Sequence, residues 1–461
     1  MERKKAWTTY DEKHLDALEA VSRRYRAFLD AGKTERECVR EAVKLAEARG
    51  FRPMEAAEAA KPGDRLYVNW MGKALMLFIV GRRPLTEGAN IVGAHIDSPR
   101  MDVKQNPLYE EGDMAYLDTH YYGGIKKYQW VTIPLALHGV VVRKDGGVIE
   151  LSIGEAEDDP VVGVSDLLIH LAGEQMGKKA SVVIEGDQLN VIVGGRPLKI
   201  EDEDDKRKKE PVKAAILALL KEQYGFEEED FLSAEIEVVP AGRSRDFGLD
   251  RSMIIGYGHD DRVCAYASLE ALFGQAEVPE HTCVCLLSDK EEIGSVGATG
   301  MQARYFENAM AELMNLTGDY SELKLRRALA ACRMLSCDVS AGFDPNFASV
   351  FEKKNAAWMG RGVCFNKFTG SRGKSGSNDA NAEFIGRLRR LFDDAGVNFQ
   401  TAELGKVDAG GGGTIAYICA LYGMDVIDSG VPVLSMHAPW EIISKADLYE
   451  AVRAYKVFMM A

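Results

Sequence analysis

Apolar and polar positions change their period several times along this chain, and those changes divide it. From residues 11 to 50 the spacing is helical and predicts two helices. Thr34 with Glu37 three residues on has the spacing of a capping box opening the second helix, and Gly50 is expected to close it. From Arg65 to Asp97 short apolar runs take over, YVNW, ALMLFIV and NIVGAHID, broken by the turn GRRPLTEG. They predict the first strands of an α/β domain. Between about Met101 and Gly242 the texture is β-rich, with a hairpin expected in GVVVRKDGGVIELSI, further strands in SVVIEGDQLNVIVGG and a solvated charge run from Glu201 to Glu210. From Ile254 strands and helices alternate again: ASLEALFG, CVCLL, MLSCDV, AYICALYG and VPVLSM. The reading is an α/β domain in two parts, residues 1–100 and 243–461, with a second, β-rich domain inserted at residues 101–242.

Composition supports a globular chain and removes several function classes. With 461 residues, 46% hydrophobic and 28% charged, there is material for two domains and a large core. The longest apolar run, ALMLFIV, is far too short for a bilayer, and the charged start runs into a helical pattern, so neither membrane insertion nor export is expected. The eight cysteines include no CxxC pair; Cys283 and Cys285 in HTCVCLLS are read onto opposite faces of one strand, and all are expected as reduced thiols in a cytoplasm. A net charge of −14 repels nucleic acid, and the basic tract KRKK at 206–209 is offset by the adjoining EDEDD.

Five residues carry the candidate chemistry: His95 in IVGAHIDSP, Asp260 in GHDDRVCAYASLEAL, Glu292 in LLSDKEEIGS, Asp338 in MLSCDVS and His437 in VLSMHAP. Each stands at or just past the end of an apolar run, where an α/β sheet delivers side chains into the crevice at its strands' carboxyl ends. Taken singly, each also suits a hydrogen-bonded polar residue at a strand end. Taken together, two histidines and three carboxylates match a pair of zinc ions sharing one carboxylate, with a position left open for water. Asp97 lies two residues beyond His95 on the same strand face, where it can fix the imidazole tautomer from behind. Glu291 and Glu292 would repel each other in one crevice unless a cation balanced them, which suggests one ligand and one general base. Asp260 and Asp261 pose a similar choice, one bridging and the other structural. Asp338 among apolar neighbours needs a partner to offset burial. The other histidines, at 14, 120, 138, 170, 259 and 281, have no such setting.

In the order GAHIDSPR, DDRVCAYASLEAL, DKEEIGS, SCDVS, DAGGGGTIA and SMHAPWE, the motifs resemble the aspartyl aminopeptidase family of co-catalytic zinc metallopeptidases over nearly the whole chain. The resemblance implies a mixed-sheet, three-layer catalytic domain of the zinc-peptidase kind, and hydrolysis of the N-terminal residue from peptides with a free amino terminus. It implies two Zn2+ per subunit, with Co2+ or Mn2+ as substitutes: His95, Asp260 and Asp338 on one, Asp260, Glu292 and His437 on the other. Glu291 would be the general base and Asp97 the carboxylate behind His95. The family often has Asn where this chain has Asp261, and it holds the peptide after the bridging aspartate in cis. It also implies that the insert mediates dimerisation within a tetrahedral dodecamer, and that a histidine of the partner's insert reaches the active site. His170 in SDLLIHLAG matches that segment best, and a buried interface histidine is the alternative.

An acidic N-terminal residue would need a local cation in so negative a chain, and Lys367, Arg372 and Lys374 are the candidates, near the Gly-rich DAGGGGTIA. The same KFTGSRGK segment is unusually Gly-rich, which leaves a broader di-metal aminopeptidase that prefers neutral residues as the second reading. A non-catalytic protein stabilised by metal is the alternative from another class. Glu291 beside Glu292 argues against it, because a structural site needs no spare base.

Overall fold

The computed structural model describes residues 4–202, 204–370 and 372–461. The chain opens with α1 (Glu12–Ala31) and α2 (Glu35–Glu47). The Thr34 hydroxyl accepts from Glu37 N while the Glu37 carboxylate accepts from Thr34 N, the predicted capping box. Helix α2 ends at Glu47, earlier than Gly50 suggested, and Gly50 takes the left-handed turn beyond it with φ 82°.

Two compact units follow. One contains the residues up to Ser98 together with Ser244–Met436 and Glu441–Ala461; the other contains Pro99–Arg243 and His437–Trp440. The first is built on a nine-stranded sheet. Its strands are β1 (Arg52–Pro53), β2 (Arg65–Trp70), β3 (Ala74–Ile79) and β4 (Ala89–His95), then β13 (Thr282–Ser288), β14 (Arg333–Cys337), β16 (Val363–Asn366), β17 (Phe399–Ala402) and β18 (Asp425–Gly430). In space they run β1-β2-β3-β13-β4-β14-β18-β16-β17. The central four, β13, β4, β14 and β18, are parallel, whereas β3 and β16 pair antiparallel on either flank. It is a mixed sheet.

Period-two side chains sort the sheet's two faces. Leu75, Leu77, Cys283, Cys285 and Leu287 enter one buried cluster, with residues of α1, α2, α5 (His259–Phe273), α8 (Ala382–Asp394) and α10 (Lys445–Met459). Met76, Phe78, Val284 and Leu286 enter the other, with α6 (Tyr305–Leu316), α7 (Glu322–Ala331) and α9 (Ala416–Ala420). Helices therefore cover both faces in three layers. Cys283 and Cys285 face the same layer, since residues two apart on a strand share a side, which corrects the expected opposite faces. All eight cysteines are free and buried.

A smaller five-stranded sheet in the same unit orders β11 (Arg245–Phe247), β12 (Met253–Gly256), β20 (Glu441–Ser444), β19 (Pro432–Leu434) and β15 (Ser340–Ala341). The second unit holds a six-stranded sheet, β8 (Val148–Ile153), β7 (Leu135–Val142), β10 (Ala234–Pro240), β5 (Arg100–Glu111), β6 (Met114–Tyr122) and β9 (Val191–Gly194), with α3 (Gly173–Met176) and α4 (Pro211–Leu219). The expected hairpin is β7–β8, paired from Leu137↔Ile153 to Val142↔Val148. In SVVIEGDQLNVIVGG only β9 forms; the first half turns through short 3-10 segments around Gly186. Among the described residues no helix is long and apolar enough to cross a membrane.

Leu335 is fully buried in the middle of β14, the strand that leads into Asp338. Leu335→Ala should cost about 2–5 kcal/mol, seen as a lower urea midpoint at unchanged m. A midpoint unchanged from the parent chain would contradict this placement of the core.

Candidate metal centre

The parallel strands end together and deliver their last residues to one edge. His95 closes β4, the Asp289–Lys290 turn follows β13, and Asp338 follows β14. Asp260 reaches the same place from the start of α5, where it and Asp261 are non-helical and the peptide between them is cis, as the resemblance implied. Lys290 in a left-handed conformation (φ 65°) turns the chain into the 3-10 segment Glu291–Ile293.

His95 is the hub. Its Nε2 lies 3.2 Å from Asp260 Oδ1 and 4.0 Å from both Glu291 Oε2 and Asp338 Oδ1. Two overlapping ligand sets, His95 with Asp260 and Glu292 and His95 with Glu291 and Asp338, each bring one ligand atom per residue within 4.8 Å of one another. Behind it, Asp97 Oδ1 stands 3.2 Å from His95 Nδ1, and the two oxygens of Asp97 accept the main-chain N–H groups of Glu291 (3.1 Å) and Glu292 (3.2 Å). Asp97 O lies nearer still to His95 Nδ1, at 3.0 Å, so one residue meets the imidazole and both glutamates. Asp261 turns inward, and its Oδ2 accepts from His95 N at 3.3 Å.

The electrostatics of this cluster favour a cation. Asp338 is held well above the ordinary carboxylate range, first by burial and then by the charge of Glu291, with His95 opposing. Burial likewise raises Asp261, again against the pull of His95. For His95 burial works against the charged form, yet bonds to Asp260 and Asp97 keep it well above its usual value. Asp289, packed beneath the turn, is pushed up to about 6 by burial and by the charges of Glu35 and Asp97. Burial of this kind disfavours the bare carboxylate charge, and a divalent ion would offset it. One imidazole nitrogen among carboxylate oxygens is a donor set that fits zinc and also accepts cobalt or manganese.

The sequence reading named these side chains but missed what holds the main chain of Asp260. The Ser98 hydroxyl donates to Asp260 O at 2.7 Å and accepts from Arg262 Nη2 at 2.9 Å. Arg262 is fully buried, donates from Nη1 to Gly32 O at 2.6 Å and lies over the Tyr257 ring. Asp260 N donates to Glu441 Oε2 at 3.0 Å. All three supports stand inside motifs already singled out, HIDSP, DDR and HAPWE, yet bonding to backbone leaves no periodic signal. Close packing adds a further constraint, since a Cβ at Gly430 would strike the carbonyl of Asp338.

Other predicted residues are not brought into these two sets. His437 belongs to the second unit, at φ 65°, with its Nδ1 2.9 Å from Gly124 O, which makes Nε2 the nitrogen suited to a ligand. His170, also in the second unit, is exposed in a turn, beside exposed Leu168, Ile169 and Leu171. Lys367 and Lys374 both pair with Asp379, at 3.4 and 3.1 Å. Lys367 follows β16, which runs antiparallel to β18, so it leaves the sheet at the end opposite Asp338. Arg372 stands in the same turn at φ 51°.

Known proteins resemble this chain throughout. Residues 28–459 match the family described as aminopeptidase I zinc metalloprotease (M18). A protein of Clostridium acetobutylicum named "Probable M18 family aminopeptidase 1" is 57% identical over 462 residues, 99% of this chain and 98% of its own length. The crystal structure of an M18 family aminopeptidase from Thermotoga maritima superposes with a TM-score of 0.94 at 44% identity, over 100% of this chain and 99% of that one. The yeast (S. cerevisiae) mApe1 dodecamer shares the fold, with a TM-score of 0.76 at 19% identity over 95% and 96% of the two chains. With a solved relative of the same architecture at 44% identity and a family match over nearly its full length, the chain belongs to the aminopeptidase I zinc metalloprotease (M18) family and is a metallo-aminopeptidase, a hydrolase of peptide bonds.

Proposed function

We propose that this enzyme removes the N-terminal residue of peptides with a free amino terminus, using two zinc ions held between His95, Asp260, Glu292, Asp338 and His437. The observation that carries the reading is the gathering of Asp260, Glu291, Glu292 and Asp338 about His95 in two candidate ligand sets that share His95, with Asp260 buried and the other three carboxylates half-buried. In this reading Asp260 is the shared ligand, its main chain fixed from both sides by Ser98 and Glu441. When bound, zinc would supply Lewis-acid polarisation of the scissile carbonyl and lower the pKa of the attacking water toward about 7.

The chain's own residues do the rest. Glu291 takes the water's proton and passes it to the leaving amine. It is suited to that role because its main chain is bonded to Asp97 while its carboxylate stands 4.0 Å from His95 Nε2. Asp97 is a positioning residue that sets the His95 tautomer and aligns both glutamates. The acidic cluster attracts the substrate's α-ammonium group and so favours unblocked termini.

Selectivity for Asp or Glu at the first position, through Lys367 and Lys374, is one form of the proposal. Asp379, shared by both lysines, offsets one of their two charges, which weakens the lysine pocket and favours the other reading, a broader enzyme that prefers neutral residues. Assembly into a homo-oligomer, with a tetrahedral dodecamer of dimers as its form, is supported by the yeast relative's dodecamer and by the exposed apolar run of the second unit, where Ile169 and Leu171 are 66% and 68% exposed. His170 sits in that run and would reach a neighbouring active site from it. Eight free thiols support a cytoplasmic setting.

Glu291→Gln should retain zinc but lower kcat by about 10² or more; near-normal turnover in that variant would remove Glu291 as the base. Asp97→Ala should weaken zinc binding about 10- to 100-fold, read by chelator competition, and wild-type affinity would deny Asp97 its role behind His95. Hydrolysis of Asp-, Glu- and Leu-anilides separates the two selectivity readings: acidic preference that falls in Lys367→Gln supports the lysine pocket, and faster Leu-anilide cleavage supports the broader enzyme.

A further inference from the structure

At the end of the nine-stranded sheet, a cleft of about 760 Å³ lies between residues 353–361, β17 and α8. Among the described residues its lining carries Lys353, Lys354, Arg361 and Arg389 and no carboxylate, on a chain whose net charge is −14. Arg361 lies over the Trp358 ring at 5.0 Å and is part of the wall. Lys353, Lys354 and Arg389 are exposed. Such a concentration of one sign in a concave site draws and holds the opposite charge.

The strand register fixes where the cleft stands relative to the metal centre. Cys337 pairs with Ser429, so Asp338, whose N donates to Ser429 O, is level with Gly430. Gly430 pairs with Cys364 of β16, and Cys364 pairs with Gln400 of β17, which lines the cleft. Asp338 and Gln400 are therefore in line across the sheet, on the first and last of four neighbouring strands, β14, β18, β16 and β17. Three strand spacings make roughly 14 Å, the reach of about four residues of extended peptide.

From this juxtaposition we propose that the cleft is a second docking point for the peptide substrate, selecting acidic side chains about four to six residues from the amino terminus. It rests on the reading that the amino terminus is held at the metal centre. The two selections are separate: the metal centre reads the free amine, and Lys353, Lys354 and Arg389 read negative charge further along. An anilide or dipeptide substrate is too short to reach the cleft.

The test compares Leu-Ala-Ala-Ala-Glu-Glu-Glu with Leu-Ala-Ala-Ala-Gln-Gln-Gln on the zinc-loaded enzyme and on a Lys353→Gln, Lys354→Gln, Arg389→Gln triple variant. Three exposed ion pairs should lower KM for the acidic peptide about five- to tenfold, and the advantage should fade at about 1 M salt. The triple variant should lose it while its kcat/KM on Leu-anilide stays unchanged. Equal KM for the two peptides on the parent enzyme, or an acidic advantage that survives in the variant, overturns the proposal. A fluorescent N-acetylated Ala-Ala-Ala-Glu-Glu-Glu peptide, blocked against hydrolysis, reads the cleft apart from the chemistry by anisotropy. Binding that the triple variant loses supports the cleft even if no peptide is cleaved as expected, and absence of binding with normal cleavage overturns the cleft while leaving the aminopeptidase reading in place.

Discussion

Four carboxylates gathered within a few ångströms of one imidazole repel one another unless protons or a cation intervene, and the rest of this molecule is arranged to hold that gathering in place. Parallel strands β4, β13 and β14 run into it from one side and the non-helical start of α5 enters from another. The raised Asp338 and Asp261 report the cost of bringing such groups together under burial. A divalent cation resolves that cost and is at the same time the reagent the hydrolysis requires. Stability of the site and its chemistry thus have one origin.

Holding the cluster falls to groups outside the candidate ligand sets. Asp97 gathers His95, Glu291 and Glu292, and Ser98, Arg262 and Glu441 fix the main chain of Asp260. These supports lie on different elements, so the geometry depends on tertiary packing rather than on one loop. Layers of helix on both faces of the sheet keep the strand ends in register. Asp338, Gly430, Cys364 and Gln400 are aligned by that same register, which ties the metal centre to the basic cleft at the far end of the sheet.

Much of the cluster was legible because local pattern encodes it. His95 and Asp97, two apart at a strand end, predicted an imidazole backed by a carboxylate, and the apolar runs before Asp338 and Glu292 predicted strand ends facing one crevice. The capping box at Thr34 and the β7–β8 hairpin were equally local. What escaped depends on topology. Lys367 was a candidate as a local cation near the Gly-rich DAGGGGTIA, but β16 runs against β18 and carries it away from Asp338. Ser98, Arg262 and Glu441 act on backbone atoms, for which no residue spacing is diagnostic. His437 is grouped with residues Pro99–Arg243, more than three hundred positions earlier for its Gly124 partner, a neighbourhood that linear order hides.

Zinc-edge anomalous diffraction from zinc-loaded crystals would locate the cations themselves. Two peaks are predicted about 3.5–4 Å apart, each within about 2.0–2.2 Å of a carboxylate oxygen, with Asp260 touching both. Strong peaks elsewhere, with no density between His95 and Asp338, would contradict the account.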